Sequence, residues 1–180
     1  MKQLIFSVLF VWGITVSAAT FEVDNSHSFV NFKVNHMGIG AVWGQFRELS
    51  GNFDLDSGQL AFTVKANSIS TNNEKRDQHL KSPDFFNAKQ FPVIKFKSSE
   101  VTPLGDGKYR VQGDLMLRGV TRKITVEVEK LGEGKGPGGK QRIGVEVAFQ
   151  VKRSEYGMKY MLEGLGDDVW VYFNGQGVLQ

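Results

Sequence analysis

Hydrophobic and polar residues alternate along most of this chain, and a period of two predicts strands with one buried face. Val30, Phe32, Val34 and His36 alternate with Asn31, Lys33 and Asn35, and Leu60, Phe62, Val64 and Ala66 alternate with Ala61, Thr63 and Lys65. Ile94 and Phe96 alternate with Lys95 and Lys97. Tyr109, Val111, Gly113, Leu115 and Leu117 share one face, as do Val120, Ile124, Val126 and Val128. The rhythm returns in Ile143, Val145, Val147, Phe149 and Val151, and again in Val169, Val171 and Phe173. Asp56-Ser57-Gly58, Gly105-Asp106-Gly107 and Arg118-Gly119 predict hairpin turns between these runs. The glycine-rich stretch Gly132 to Gly139 reads as a long flexible hairpin loop, because similar strands flank it. About eight short-spaced strands favour an antiparallel barrel or sandwich.

One segment departs from this rhythm. Thr71-Asn72-Asn73-Glu74 fits a capping box, with Thr71 as N-cap and Glu74 reaching back. The helix it predicts passes through Arg76, Asp77, His79 and Leu80 and stops before Ser82-Pro83. Pro83 suits the first position of a second short helix holding Asp84, Phe85 and Phe86. The segment either plugs one barrel end or contacts a ligand.

The first eighteen residues read as a cleaved signal peptide. Lys2 precedes an apolar run from Leu4 to Val16, and small residues around Ala18 offer the cleavage site. At roughly 13 residues the run is short for a membrane span. The rest, 19–180, is of single-domain size and contains no cysteine, so packing without disulfides must stabilise an exported fold. A net charge of +3 is too mild to imply nucleic acid or an anionic membrane as a partner.

Phenylalanine supplies 14 of the 180 residues, mostly on the inward strand faces. Those faces also hold small residues, namely Gly44, Gly51, Ala66, Gly113 and Ala148. An eight-stranded barrel either fills itself with side chains or holds one small ligand. Small residues opposite aromatics leave an elongated void, or they mark bulges and corners; both readings stand. A void would stabilise a chain-like ligand by about 0.8 kcal/mol per buried methylene, with few polar contacts except at its mouth.

Candidates for chemistry are few. The three histidines, His27, His36 and His79, lie in separate segments without metal-ligand spacing, so no metal site is expected. His27 follows Asp24-Asn25-Ser26, a turn, and reads as a hydrogen-bonding turn residue and not a base. His36 continues the inward face of Val30, Phe32 and Val34, where a buried imidazole needs a structural or ligand partner. Arg76, Asp77 and His79 fall within one helical turn, either as a polar cluster at the pocket mouth or as a network pinning the helix to the rim. Hydrolase and dinucleotide motifs are missing. Adjacent Asp167 and Asp168 point to opposite faces of a strand and suit loop capping better than acid–base work. Trp43, Trp170 and Tyr172 fall on the outer phase, as a patch for a second copy or beneath a loop.

Several ordered motifs carry a resemblance over nearly all of the chain after the leader. They are His27-Ser28-Phe29-Val30-Asn31-Phe32-Lys33-Val34-Asn35-His36-Met37-Gly38, Gly44-Gln45-Phe46, Gly51-Asn52-Phe53-Asp54, and Arg76-Asp77-Gln78-His79-Leu80-Lys81-Ser82-Pro83-Asp84-Phe85-Phe86. Phe91-Pro92, Ile94-Lys95-Phe96, Gly113-Asp114-Leu115, Gly119-Val120-Thr121 and the segment Arg153 to Met158 complete the set. On these the chain resembles the YceI-like family of bacterial exported proteins. The resemblance implies an all-β, lipocalin-like, eight-stranded antiparallel barrel with a short helical segment at about residues 72–87, located in the periplasm. It further implies binding of a polyisoprenoid, isoprenoid quinone or other long amphiphile inside the barrel, and dimers in some members. Motif is sparse after Phe173, so the closing strand is the least defined element.

The expected ligand-binding set is Val30, Phe32, Val34, Phe46, Phe53, Phe62, Phe85 and Phe96, with polar His36, Arg76, Asp77 and His79. No catalytic residue and no cofactor beyond the lipid are expected. Partners beyond the lipid are a second copy and a transient contact with a membrane or membrane protein. Two alternatives to a carrier remain open: a filled barrel acting as a structural or interaction module, and an enzyme using His36 or the Arg76/Asp77/His79 cluster as acid and base.

Overall fold

The computed structural model describes residues 19–180, so the expected signal peptide, residues 1–18, lies outside the described residues. Strand β1 (Phe21–His36) is followed by β2 (Gly40–Phe46), β3 (Leu49–Asp54), β4 (Gln59–Lys65) and the two-residue β5 (Ile69–Ser70). Helix α1 (Glu74–Lys81) interrupts, and then come β6 (Val93–Gly105), β7 (Lys108–Leu117), β8 (Val120–Lys135), β9 (Gln141–Lys152) and β10 (Leu165–Leu179). Every pairing is antiparallel.

The sheet runs β10-β9-β8-β7-β6-β4-β3-β1, and β1 pairs with β10 to close it. Strands β2 and β3 form one interrupted line along β1, with Phe32 opposite Gly44 and Phe21 opposite Phe53. Counted that way, the molecule is a closed eight-stranded antiparallel barrel with one short helix. Closure pairs most of the edges that an open sheet would expose, although residues 120–127 pair only with β7 and residues 40–44 only with β1. The tail sparse in motif is the closing strand itself, since Phe21 to Val34 pair along it from Leu179 to Val169.

Local chemistry accounts for most connections. Arg118 and Gly119 both have positive φ (51° and 74°), the paired left-handed conformation that matches strand twist in a two-residue hairpin. Arginine is an unusual first residue there, but its Nη1 donates to Gly157 O and its Nη2 to Pro83 O, tying the turn to two neighbouring loops. The Asp24–His27 turn is a bulge inside β1: the register passes from Asp24–Gln176 to Phe29–Asn174. Asp24 accepts from Ser26 N and Oγ and from Arg142 Nη1, with His27 Nδ1 2.8 Å away. Hydrogen bonds from Ser26, Arg142 and His27 hold its carboxyl well below the usual carboxylate range.

Four local expectations need correction. The Gly132–Gly139 stretch is not a long loop: β8 continues to Lys135, and the turn occupies only the residues before Gln141. Gly132 and Gly134 pair with Gly144 and Arg142, and such a ladder needs only backbone groups. The N-cap of α1 is Asn73, which accepts from Arg76 N at 2.9 Å, and not Thr71. No second helix follows Pro83; consecutive turns span Pro83–Phe86. Ala148 faces outward, in the phase opposite to Val147 and Phe149.

One end of the barrel is solid. Phe21 and Phe53 stack at 5.9 Å, and Val23, Leu55 and Ile143 are buried around them. At the other end lie the β1–β2 hairpin, residues 71–92, the Arg118–Gly119 turn and residues 153–164.

Candidate functional site

Above the solid end the barrel is hollow. The cavity measures about 220 Å³, against the roughly 10–15 Å³ that a single water needs on such a measure. Of its 32 lining residues, all but Lys95 and Arg153 are apolar. Phenylalanine contributes nine of them, and some rings meet: Phe62 lies 5.8 Å from Phe173 and 5.9 Å from Phe53, and Phe46 lies 5.4 Å from Phe86.

Four of the rings sit against glycines. A side chain at Gly44 would collide with the Phe32 ring, and one at Gly113 would approach the Phe96 ring to 2.5 Å. Each ring packs against a glycine, so the space a side chain would take there accommodates part of the ring. Phe53 covers Gly177 in the same way, and Phe173 covers Gly175 two residues along its own strand. Glycines opposite phenylalanines therefore preserve the void, which resolves the open choice between void and corner for Gly44 and Gly113.

The open end is roofed by two connections. In the first, Thr71 is the node: its N and Oγ1 donate to Asp77 Oδ1 (2.8 and 2.5 Å), its Oγ1 accepts from Arg76 Nε (2.7 Å), and its carbonyl accepts from Arg76 Nη2 (2.8 Å). Anchored so, α1 and the turns after it direct Leu80, Phe85 and Phe86 onto the cavity. In the second, buried Arg153 donates from Nε to Gly166 O, from Nη1 to Met158 O and from Nη2 to Leu165 O. Burial lowers its pKa, and every one of these bonds serves loop shape. Asp167 accepts from Ser154 N and Oγ, capping the turn Arg153–Tyr156, while Asp168 pairs with Lys152 on the other face.

Of the residues expected to bind ligand, Val30, Phe32, Val34 and Phe46 line the cavity from β1 and β2. Phe53, Phe62, Phe85 and Phe96 complete the apolar set from β3, β4, the roof and β6. The polar four lie outside the lining. His36 is exposed, not buried: it is the last residue of β1, and there the inward direction leads past the rim into solvent. Arg76 and Asp77 form the network that pins the helix, through Thr71 and not directly with each other. His79 Nε2 lies 2.8 Å from Asp84 Oδ2, and its ring meets Phe85 and Tyr160 edge-on at 5.1 Å each.

Phe149 and Phe173 also line the cavity, on faces whose phase the alternation already identifies. Met158 and Arg153 come from an irregular loop, and nothing in their spacing signals the cavity. On the exterior, Trp43 stacks on Tyr172 at 5.7 Å, and the Lys33 ammonium lies over Trp43 and Trp170 at 5.8 and 5.4 Å. Among the described residues, no group of three or more His, Asp or Glu side chains is placed to hold a metal.

Comparison with known proteins agrees with this geometry. A YceI-like domain matches residues 21–176. Protein YceI of Salmonella arizonae is 33% identical over 181 residues, covering 97% of this chain and 94% of that protein. The crystal structure of the Campylobacter jejuni YceI protein superposes with a TM-score of 0.73 at 30% identity, over 82% of this chain and 91% of that one. A polyisoprenoid binding domain from Saccharophagus degradans shares the fold, with a TM-score of 0.71 at 20% identity over 91% of this chain and all of that one. With a matching domain over nearly the whole barrel and a relative aligned end to end, this chain belongs to the YceI-like family.

Proposed function

We propose that this protein is a periplasmic carrier that holds the hydrocarbon chain of a polyisoprenoid or isoprenoid quinone inside its barrel. The observation that carries this reading is a hollow interior whose walls are apolar at all but two positions. Such a surface rewards burial of methyl and methylene groups and offers no arrangement of acid, base or nucleophile. The long apolar cargo is supported by the name of the Saccharophagus domain, and the periplasm by the signal-like residues 1–18.

Extraction of the purified protein into organic solvent, followed by mass spectrometry, tests the proposal. About one isoprenoid lipid per chain is expected; recovery of none from protein made in lipid-replete cells overturns it. Val147→Trp provides the matched control, since Val147 lines the lumen. Displacing about three methylenes at roughly 0.8 kcal/mol each weakens retention about fifty-fold, with the barrel's circular dichroism unchanged. Fractionation of cells tests the compartment, with the processed chain expected in the periplasmic fraction.

A further inference from the structure

Large apolar side chains exposed to solvent are unevenly distributed on this barrel. Ten are exposed among the described residues, and five of them, Met37, Ile39, Tyr160, Met161 and Leu162, sit in two loops at the open end. Ile39 is 91% exposed, at the tip of the β1–β2 hairpin. The loops form one surface: Met37 N donates to Gly164 O at 2.7 Å, and the Met37 sulfur and the Met161 methyl converge on Gly164. Scattered exposed apolar residues need no explanation, but a cluster on one projecting rim does.

Two further observations say what the rim faces. The apolar surface is continuous with the cavity, because the Tyr160 ring meets Phe85 edge-on at 5.4 Å and Phe85 lines the lumen. Charge is also polarised between the ends. Buried Arg153 aside, the four connections at the open end carry six basic and five acidic residues, whereas those at the solid end carry Lys140 against Asp56 and Asp106.

The geometry points to the Met37–Ile39 and Tyr160–Leu162 loops as a membrane-docking rim, which seats the open end in the apolar layer of an anionic phospholipid surface so that the cargo chain passes between bilayer and barrel. Flexible, unbranched methionine suits a surface that must accommodate disordered acyl chains, and the basic excess suits acidic headgroups. The inference rests on the carrier reading for its purpose, but docking is measurable whether or not a lipid occupies the lumen.

The test is flotation of the purified protein with vesicles of phosphatidylethanolamine and phosphatidylglycerol, against phosphatidylcholine alone. Partition onto the anionic vesicles is expected, and Met37→Ser/Ile39→Ser/Met161→Ser/Leu162→Ser lowers it at least ten-fold while thermal unfolding and lipid content stay those of the wild type. Leu131→Ser, also exposed but near the solid end, leaves partition unchanged. Wild-type protein that floats with neither vesicle, or a quadruple variant that floats like the wild type, overturns docking even if lipid is extracted from the lumen. Loss of self-association in the variant without any change in flotation overturns it too, by assigning the rim to a second copy. Normal flotation of a protein that never contains lipid overturns the carrier reading and leaves docking supported.

Discussion

Gly44 shows how a single hydrogen side chain shapes the lumen. Because the Phe32 ring packs against it, Gly44→Ala must push that ring aside or distort the wall. Overpacking of this kind costs about 1–3 kcal/mol; denaturant unfolding will show the loss, together with weaker lipid retention. Adding Phe32→Leu restores a large part of both, since the smaller side chain frees the wall position. Asp24 is a second residue with a readable consequence. Its folded pKa lies below its ordinary value of 3.8, so its contribution is complete above that value and is lost as pH falls through and below it. Wild-type stability measured from pH 6 down to pH 2 therefore falls more steeply than that of Asp24→Asn, with the divergence confined to pH below about 4.

At the scale of elements, the roof depends on side chains that satisfy loop backbone. Asn73 caps α1 while Thr71, an equally good capping type by sequence, serves as the anchor for Asp77 and Arg76. Thr71→Val removes the hydroxyl from both, and the outcome belongs to the roof more than to the barrel. Global stability falls by only about 1 kcal/mol, while release of bound lipid to acceptor vesicles accelerates about ten-fold. Arg153 is different, because its guanidinium is itself buried and donates to three backbone carbonyls. Arg153→Met leaves them without that donor and costs about 3 kcal/mol, measurable by chemical denaturation.

Over the whole molecule, a closed sheet around a cavity forgoes contacts that a filled core would make, and under the proposed function a bound lipid chain supplies them. A ligand bound only by the folded state stabilises it by about 4 kcal/mol when present at a thousand times its Kd. For a domain of this size that corresponds to roughly 10 °C in Tm. Delipidated protein is expected to melt lower by about that amount and to recover on readdition of an isoprenoid. Equal melting of both forms would show that the lumen gains nothing from its cargo.

An approximate strand number and the inward phase of Val30 to Val34, Tyr109 to Leu117 and Ile143 to Val151 were present in the alternation of the chain, because side chains on a pleated strand reach opposite faces in strict turn. The alternation left barrel or sandwich open, and closure was implied by the family resemblance. The apolar lining followed from that phase, and the family from the ordered motifs. Three things depended on the folded molecule. Whether Gly44 and Gly113 mark corners or accommodate rings is settled by which residue lies across the strand pair, a long-range fact. Whether His36 is buried depends on where the rim ends, and period two carries no information about depth along the axis. The roles of Arg76, Asp77 and Arg153 turn on hydrogen-bond partners supplied by loops. Periodicity therefore specified the wall, and only the three-dimensional register showed that the wall encloses space.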